Sequence, residues 1–153
     1  MDSVERLLTS GGADAIRLDA VAAQAGVSKG GLLHHFKSKQ ALLEGVLDRQ
    51  VERFQAELPP TGSPPGSFIR AWLDATIPDT DIPARAHTDQ VAVALLAALS
   101  GGPEVLDAFR RRYEAWQDRL ADDGLDPSTA YLVRLAVDGW WMARLTRTTP
   151  TRS

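Results

Sequence analysis

Apolar residues recur at helical spacing along the whole chain. Large aliphatic and aromatic side chains stand three and four positions apart, and no stretch alternates apolar and polar residues as a half-buried strand would. The pattern therefore predicts an all-α protein. Four helices are predicted within the first 58 residues, the first of which ends at Gly11–Gly12.

Capping residues set the predicted bounds of the next three helices. Asp19 is predicted to cap the second helix, and Gly26 ends it. Ser28 caps the third helix, which runs to about Phe36, and Ser38 caps the fourth.

The fourth predicted helix, about residues 38–58, is amphipathic and links two parts of the chain. Its apolar stripe consists of Leu43, Val46, Leu47, Val51, Phe54 and Leu58. Residues 59–66, rich in proline and glycine, then break the helical pattern. We therefore expect the fourth helix to bridge an N-terminal domain to the rest of the chain, with residues 59–66 as the boundary or a connecting loop.

The second half of the chain is also predicted to be helical. The spacing indicates helices over 67–77, 84–100, 104–122 and 126–145, the last one opening with Asp126–Pro127 as N-cap and first residue. The last helix is apolar nearly all round, with Leu132, Val133, Leu135, Ala136, Val137, Trp140, Trp141 and Met142. Because a chain of this size can hardly bury every side of such a helix by itself, the pattern predicts a homodimer.

Composition restricts the chemistry. The 153 residues are enough to bury a core without disulfides or metals, and the absence of cysteine excludes disulfides, thiolate nucleophiles and cysteine zinc sites. No apolar run approaches the about 20 residues that a membrane-spanning helix needs. The first residues lack the pattern of a signal peptide, so we expect a cytoplasmic protein with no membrane partner.

Charge is distributed unevenly. The net charge of −3 would by itself disfavour a nucleic-acid partner. Residues 24–43, however, contain Lys29, Lys37 and Lys39 and no acidic residue. This window is therefore locally positive.

The same window falls within a helix-turn-helix pattern. Ala22 and Ala25 are small enough for two helices to cross closely, Gly26 suits the turn, and Val27 is expected to fill the junction. Ser28 opens the second helix, whose first residues would reach base edges and phosphates in a major groove.

This run resembles the TetR family of bacterial transcriptional regulators. The matching residues are Ala22 to Ala25, Gly26-Val27-Ser28, Gly31-Leu32, His35-Phe36, Ser38-Lys39 and Leu42-Leu43. The resemblance implies a three-helix DNA-binding domain, residues 1–46, followed by a helical ligand-binding and dimerisation domain, residues 47–153. It also implies a repressor that binds a palindromic double-stranded DNA operator as a homodimer, pairs through its C-terminal helices and is released by a small-molecule effector.

By resemblance, the recognition helix and the start of the next helix supply the DNA contacts. They are Ser28, Lys29, Gly30, Gly31, His34 and His35, with Lys39 meeting a phosphate. Lys29 and His34 are expected at base edges, since lysine can donate to guanine O6 and N7. His35 could equally pack or cap the helix, whereas Leu32 and Phe36 should be core. The family often has tyrosine where this chain has Leu33, so a phosphate-contacting hydroxyl is missing.

The resemblance also implies an effector pocket after Pro65. The candidate lining residues are Trp72, His87, Phe109, Tyr113, Trp116 and Trp140. Each of these aromatic residues could instead be ordinary core or interface.

Other kinds of site find little support in the sequence. His34 and His35 are adjacent on a helix and diverge by about 100°, so they cannot share one metal. Gly30–Gly31 does not fit a phosphate-binding loop, and no catalytic motif is present, so we predict neither an enzyme nor a cofactor. The alternative function is a helical ligand-binding or scaffolding protein that has lost DNA binding.

Overall fold

The computed structural model describes residues 1–77 and 101–146, together with residues 92, 94, 96, 97, 99 and 148. Within this part of the chain all regular structure is helical, which confirms the all-α prediction. The helices are α1 (Asp2–Gly11), a 3₁₀ turn (Ala13–Ala15), α2 (Leu18–Ala25), α3 (Lys29–His35), α4 (Lys39–Glu57), α5 (Ser67–Thr76), α6 (Pro103–Ala121) and α7 (Pro127–Leu145). None of the described helices is long and apolar enough to cross a membrane.

The helix predicted over 84–100 falls mostly outside the described residues. Its five described residues, 92, 94, 96, 97 and 99, are helical. Residues 147 and 149–153 also lie outside the described part of the chain.

Three predicted N-caps are confirmed by side-chain hydrogen bonds. The Ser28 hydroxyl accepts from the backbone N–H of Gly31 at 3.0 Å. Ser38 and Asp126 accept in the same way from the N–H three residues downstream, each at 3.1 Å. These bonds satisfy donors that the first turn of a helix cannot pair internally.

The predicted cap at Asp19 is wrong. Helix α2 begins at Leu18, with Arg17 in the N-cap position and no side-chain cap. Asp19 lies inside the first turn, where its carboxylate pairs with the Arg17 guanidinium at 2.8 Å. The hydrogen bond from the Arg17 guanidinium lowers the pKa of Asp19.

The described residues divide into two compact units. The first comprises Met1–Arg53 with the described part of Asp89–Arg112, and the second comprises Phe54–Thr88 and Tyr113–Ser153, again as far as they are described. The core of the first unit consists of Val4, Leu8, Ile16, Val21, Ala22, Leu32, Leu42, Leu43, Val46 and Ala97. The predicted apolar stripe of α4 is buried along its full length.

Val27 does not fill the junction between α2 and α3 as the sequence suggested. Its backbone N–H donates to the carbonyl of Ala22 at 3.0 Å and so closes the turn, but its side chain is 48 % exposed. The turn itself depends on Gly26, which has a φ of 68° in the left-handed region.

Polar contacts fix α1 against α4 in the first unit. The largely buried carboxylate of Glu5 accepts from Gln50 Nε2 at 2.9 Å. The guanidinium groups of Arg49 and Arg53 each lie 3.6 Å from the same carboxylate. A partly buried acid is thereby compensated by one hydrogen bond and two cations.

A buried carboxylate organises the start of α5 in the second unit. Asp123 accepts from the backbone N–H groups of Phe68 at 3.1 Å and Ile69 at 2.9 Å. Its own carbonyl accepts from the N–H of Gly66 at 2.9 Å. The segment between α6 and α7 therefore caps α5 from a distant part of the sequence.

Candidate nucleic-acid interface

Helix α3 is held to its unit by few side chains and exposes the rest. Leu32 is its buried residue, and Phe36, just after its end, packs half-buried against the same core. The exposed residues are Lys29, Gly30, Gly31, Leu33, His34 and His35. Nearly the whole surface of this helix is therefore free to contact another molecule.

The two glycines of α3 play different parts. A Cβ at Gly31 would stand 3.2 Å from the capping hydroxyl of Ser28, so a small residue keeps that cap undisturbed. A Cβ at Gly30 would meet nothing within 4 Å. The absence of a side chain at Gly30 thus leaves bare backbone on the open side of the helix, where another molecule can approach closely.

The charge around α3 is positive and not neutralised locally. Lys29 and Lys37 are exposed and Lys39 is half-buried in the first turn of α4. Within the described residues none of these three lysines forms an ion pair, whereas the nearby carboxylate of Asp19 is engaged by Arg17. This part of the unit therefore offers unpaired lysine side chains to a phosphate backbone.

The predicted DNA-contacting residues all lie on α3, at its N-cap or at the start of α4. The His34 and His35 rings are both exposed and meet edge to face, with centroids 5.3 Å apart. Among the described residues no group of three potential ligands could hold a metal ion. The roles of the individual residues in DNA contact stay predictions.

The aromatic residues predicted for an effector pocket are distributed over several environments. Trp72 is fully buried, and Trp116 is buried with its ring centroid 4.7 Å from that of Phe54. Trp140 is half-buried and packs edge to face on Trp141 at 5.1 Å. Phe109 is half-buried, and His87 lies outside the described residues.

Tyr113, another predicted effector residue, belongs to a polar cluster. Its hydroxyl donates to the carboxylate of Asp138, whose other oxygen lies 3.7 Å from Arg134 Nε. Burial, followed by the bond to this carboxylate, raises the pKa of the Tyr113 phenol. The phenol therefore stays protonated and donates its hydrogen to Asp138.

A cleft that the sequence did not indicate lies between α6 and α7. It has a volume of about 160 Å³ and is lined by Gln117, Leu120, Ala121, Pro127, Ala130, Tyr131 and Arg134. Gln117 Nε2 and Arg134 Nε are buried and have no hydrogen-bond acceptor among the described residues. None of the predicted effector residues lines this cleft. The residues that do line it follow no distinctive pattern in the sequence, so sequence reasoning could not find it.

Helix α7 exposes an apolar stripe. Leu132 is 65 % exposed, Leu135 46 % and Met142 61 %, whereas Val137 and Trp141 on another side are buried. Together with Gly139, these exposed residues stand three or four positions apart and so share one side of the helix. Among the described residues, no atom lies within 4 Å of a Cβ built at Gly139. The apolar stripe of α7 is thus continuous and open along several turns.

Comparison with known proteins relates both halves of the chain to one family. The model described as "Bacterial regulatory proteins, tetR family" matches residues 1–46. The model described as "Tetracyclin repressor-like, C-terminal domain" matches residues 66–153, which is more than half of the chain. A search of curated proteins found no match.

A solved structure has a similar fold. It is that of a protein from Rhodococcus sp. described as a TetR-family transcriptional regulator, with 24 % sequence identity and a TM-score of 0.65. The match covers 97 % of this chain and 86 % of the other. This likeness confirms a helix-turn-helix domain followed by a helical domain as the fold class.

Proposed function

The chain belongs to the TetR family of bacterial regulatory proteins, and from this premise we propose a repressor that binds a palindromic operator as a homodimer and is released by a small molecule. Membership itself implies a DNA-binding transcriptional regulator, which is not an enzyme. The repressor activity, the operator symmetry, the dimer and the release are the proposed parts. The proposed place of action is the cytoplasm, where the DNA is.

The exposed surface of α3 is the observation that carries the proposal. Lys29 and His34 are proposed to contact base edges, with Ser28, Gly30, Gly31 and His35 close to the groove. Lys39 is proposed to contact a phosphate, which positions the helix without reading sequence. The proposed DNA-binding domain is residues 1–46, and α4 links it to residues 47–153.

The apolar stripe of α7 supports the proposed homodimer. A second copy of the same stripe would cover Leu132, Leu135 and Met142 and remove their apolar surface from water. A two-fold pair of this kind would present two α3 helices to half-sites about 34–36 Å apart. Operator symmetry would then mirror protein symmetry.

The proposed effector binds in the C-terminal half, with Trp72, Phe109, Tyr113, Trp116 and Trp140 as candidate contacts together with His87. The Tyr113 hydroxyl donates its hydrogen to Asp138 and keeps a lone pair beside the Trp116 ring, which supports an apolar ligand that carries a hydrogen-bond donor. Release requires the ligand to bind more tightly to a dimer whose α3 helices no longer fit the operator spacing.

DNA selection tests the central part of the proposal. Wild-type protein is incubated with random duplexes, and the enriched sequence should be palindromic. The Lys29→Ala/His34→Ala variant should bind the enriched duplex more weakly and with a shallower salt dependence, since fewer cations are released. Arg70→Ala, which removes an exposed cation from α5, is the matched control and should bind as wild type does.

Two results would contradict this assignment. Unchanged affinity and salt dependence in the double variant would place the DNA contacts elsewhere than on α3. Failure of the wild-type protein to enrich any duplex, together with binding of a small molecule, would favour a helical ligand-binding protein that has lost DNA binding.

A further inference from the structure

Leu33 is an apolar residue on the exposed surface of α3, where the other residues are polar or glycine. Among residues 1–53 the large apolar side chains that remain exposed are Val27 and Leu33, and Leu33 is 37 % exposed. Its neighbour Leu32 already provides the buried anchor of α3. Folding of the unit therefore leaves part of the Leu33 side chain in water, and the free energy of burying that part is still to be gained.

The position of Leu33 on α3 places it beside the proposed base contacts. Helical spacing puts it one turn after Lys29 and Gly30, on the same side of the helix. Among the residues that the structure describes, no atom lies within 4 Å of a Cβ built at Gly30, so none of their side chains covers the helix there. A groove wall that approaches the bare backbone at Gly30 would come close to Leu33 as well.

The chemistry of a leucine side chain limits what it can contact on DNA. It has no donor or acceptor, so it cannot hydrogen-bond a phosphate or the polar edge of a base. Among the base edges exposed in the major groove, only thymine presents a methyl group, at C5. An apolar side chain that reaches base edges gains most by covering that methyl group.

We propose that Leu33 reads a thymine in each operator half-site by packing against its C5 methyl group. The inference rests on the proposed function, because it assumes that α3 enters the major groove. It adds a base preference that the polar residues of α3 do not supply.

The test replaces single thymines by uracil in the duplex that wild-type protein enriches. Uracil pairs as thymine does and differs only by the missing methyl group. At one pair of symmetry-related thymines, replacement of either thymine should weaken wild-type binding about fourfold. This factor corresponds to the free energy of burying one methyl-sized group. At the other thymines the loss should be smaller.

Variants at position 33 connect the effect to the side chain. Leu33→Ala should bind the thymine duplex about as weakly as wild type binds the uracil duplex, and it should no longer distinguish the two. Leu33→Met, which keeps an apolar side chain of similar size, should retain the distinction, and so should Lys29→Ala. Because Leu33 is only 37 % exposed, Leu33→Ala should melt at a somewhat lower temperature than wild type. It should keep the helical circular dichroism of wild type at the temperature of the binding assay, which excludes loss of folding as the cause.

The outcomes separate this inference from the proposed function. If wild-type protein binds its duplex with a strong salt dependence but no uracil replacement weakens binding, Leu33 does not read thymine while the proposed function stands. A uracil effect that persists in Leu33→Ala assigns the methyl contact to another residue and also overturns the inference. If no duplex is enriched at all, both fail.

Discussion

Placing two glutamates on the apolar stripe of α7 should separate the proposed dimer into monomers. The variant is Leu132→Glu/Leu135→Glu. Both leucines are exposed in the single chain, at 65 % and 46 %, so the substitutions should leave the folded monomer intact. Their effect should therefore be confined to association.

The magnitude follows from the surface that pairing would remove from water. Together the two exposed fractions amount to about one whole leucine side chain per copy. Complete burial of a leucine contributes about 1.5–3 kcal/mol, so the two copies lose roughly 3–6 kcal/mol of association free energy. This corresponds to a dissociation constant about 10² to 10⁴ times larger, before the cost of bringing glutamates into an apolar interface is added.

Light scattering at micromolar protein concentration measures the change directly. Wild type should have the mass of two chains and the variant that of one chain, with the helical circular dichroism unchanged. The control, Gln55→Glu/Thr61→Glu, adds the same charge at exposed polar positions and should stay dimeric. A folded variant that keeps the dimer mass, or a wild-type protein of monomer mass, would refute the assignment of the interface to α7.

Three further predictions concern contacts within the chain. Asp123→Ala leaves two buried N–H groups of α5 without an acceptor and should lower the free energy of unfolding in urea by about 2–4 kcal/mol. Asp123→Asn should lower it by an intermediate amount. A loss below about 0.5 kcal/mol in Asp123→Ala would refute the capping role. Tyr131→Phe removes the other tyrosine, so ultraviolet absorbance then reports the ionisation of Tyr113 alone. The midpoint of this titration should lie above the usual tyrosine pKa of about 10, and a further Asp138→Asn substitution should lower it. Because the pKa of Tyr113 is raised in the folded state, its contribution to the free energy of unfolding should be fully present below about pH 10 and be lost as the pH rises further. A titration midpoint at or below about 10 would contradict the prediction. Ser38→Ala should cost about 0.5–2 kcal/mol in thermal unfolding through loss of the α4 cap, and an unchanged melting temperature would exclude that cap as a stabilising bond.

The features that the sequence predicts well are those set by neighbouring residues. Ser28, Ser38 and Asp126 each bind an N–H three positions downstream, so residue type and local spacing were enough to locate them. The α4 stripe follows likewise from a repeat of three and four residues. Asp19 shows the limit of such reasoning, since a nearby arginine engaged the carboxylate one position inside the helix.

The features that the sequence did not predict depend on contacts between distant segments. The carboxylate of Asp123 meets N–H groups more than 50 residues away, and the bond between Gln50 and Glu5 spans 45 residues. No local pattern marks either pair. The cleft beside Gln117 and Arg134 is likewise visible only once α6 and α7 are packed.

The proposed roles of the exposed apolar side chains on α3 and α7 would account for selective DNA binding by a domain with three lysines around its recognition helix. Three lysines around α3 supply a small number of phosphate or base contacts, and an isolated domain with that number would bind weakly at moderate salt. Joining two domains makes the second contact intramolecular, so the affinity of the pair can exceed that of one domain by about 10²–10⁴. Loss of the α7 stripe should accordingly weaken operator binding more than loss of any single α3 side chain, including Leu33. If Leu132→Glu/Leu135→Glu is monomeric yet binds the operator as tightly as wild type, recognition does not depend on pairing and the contacts of a single α3 must be sufficient.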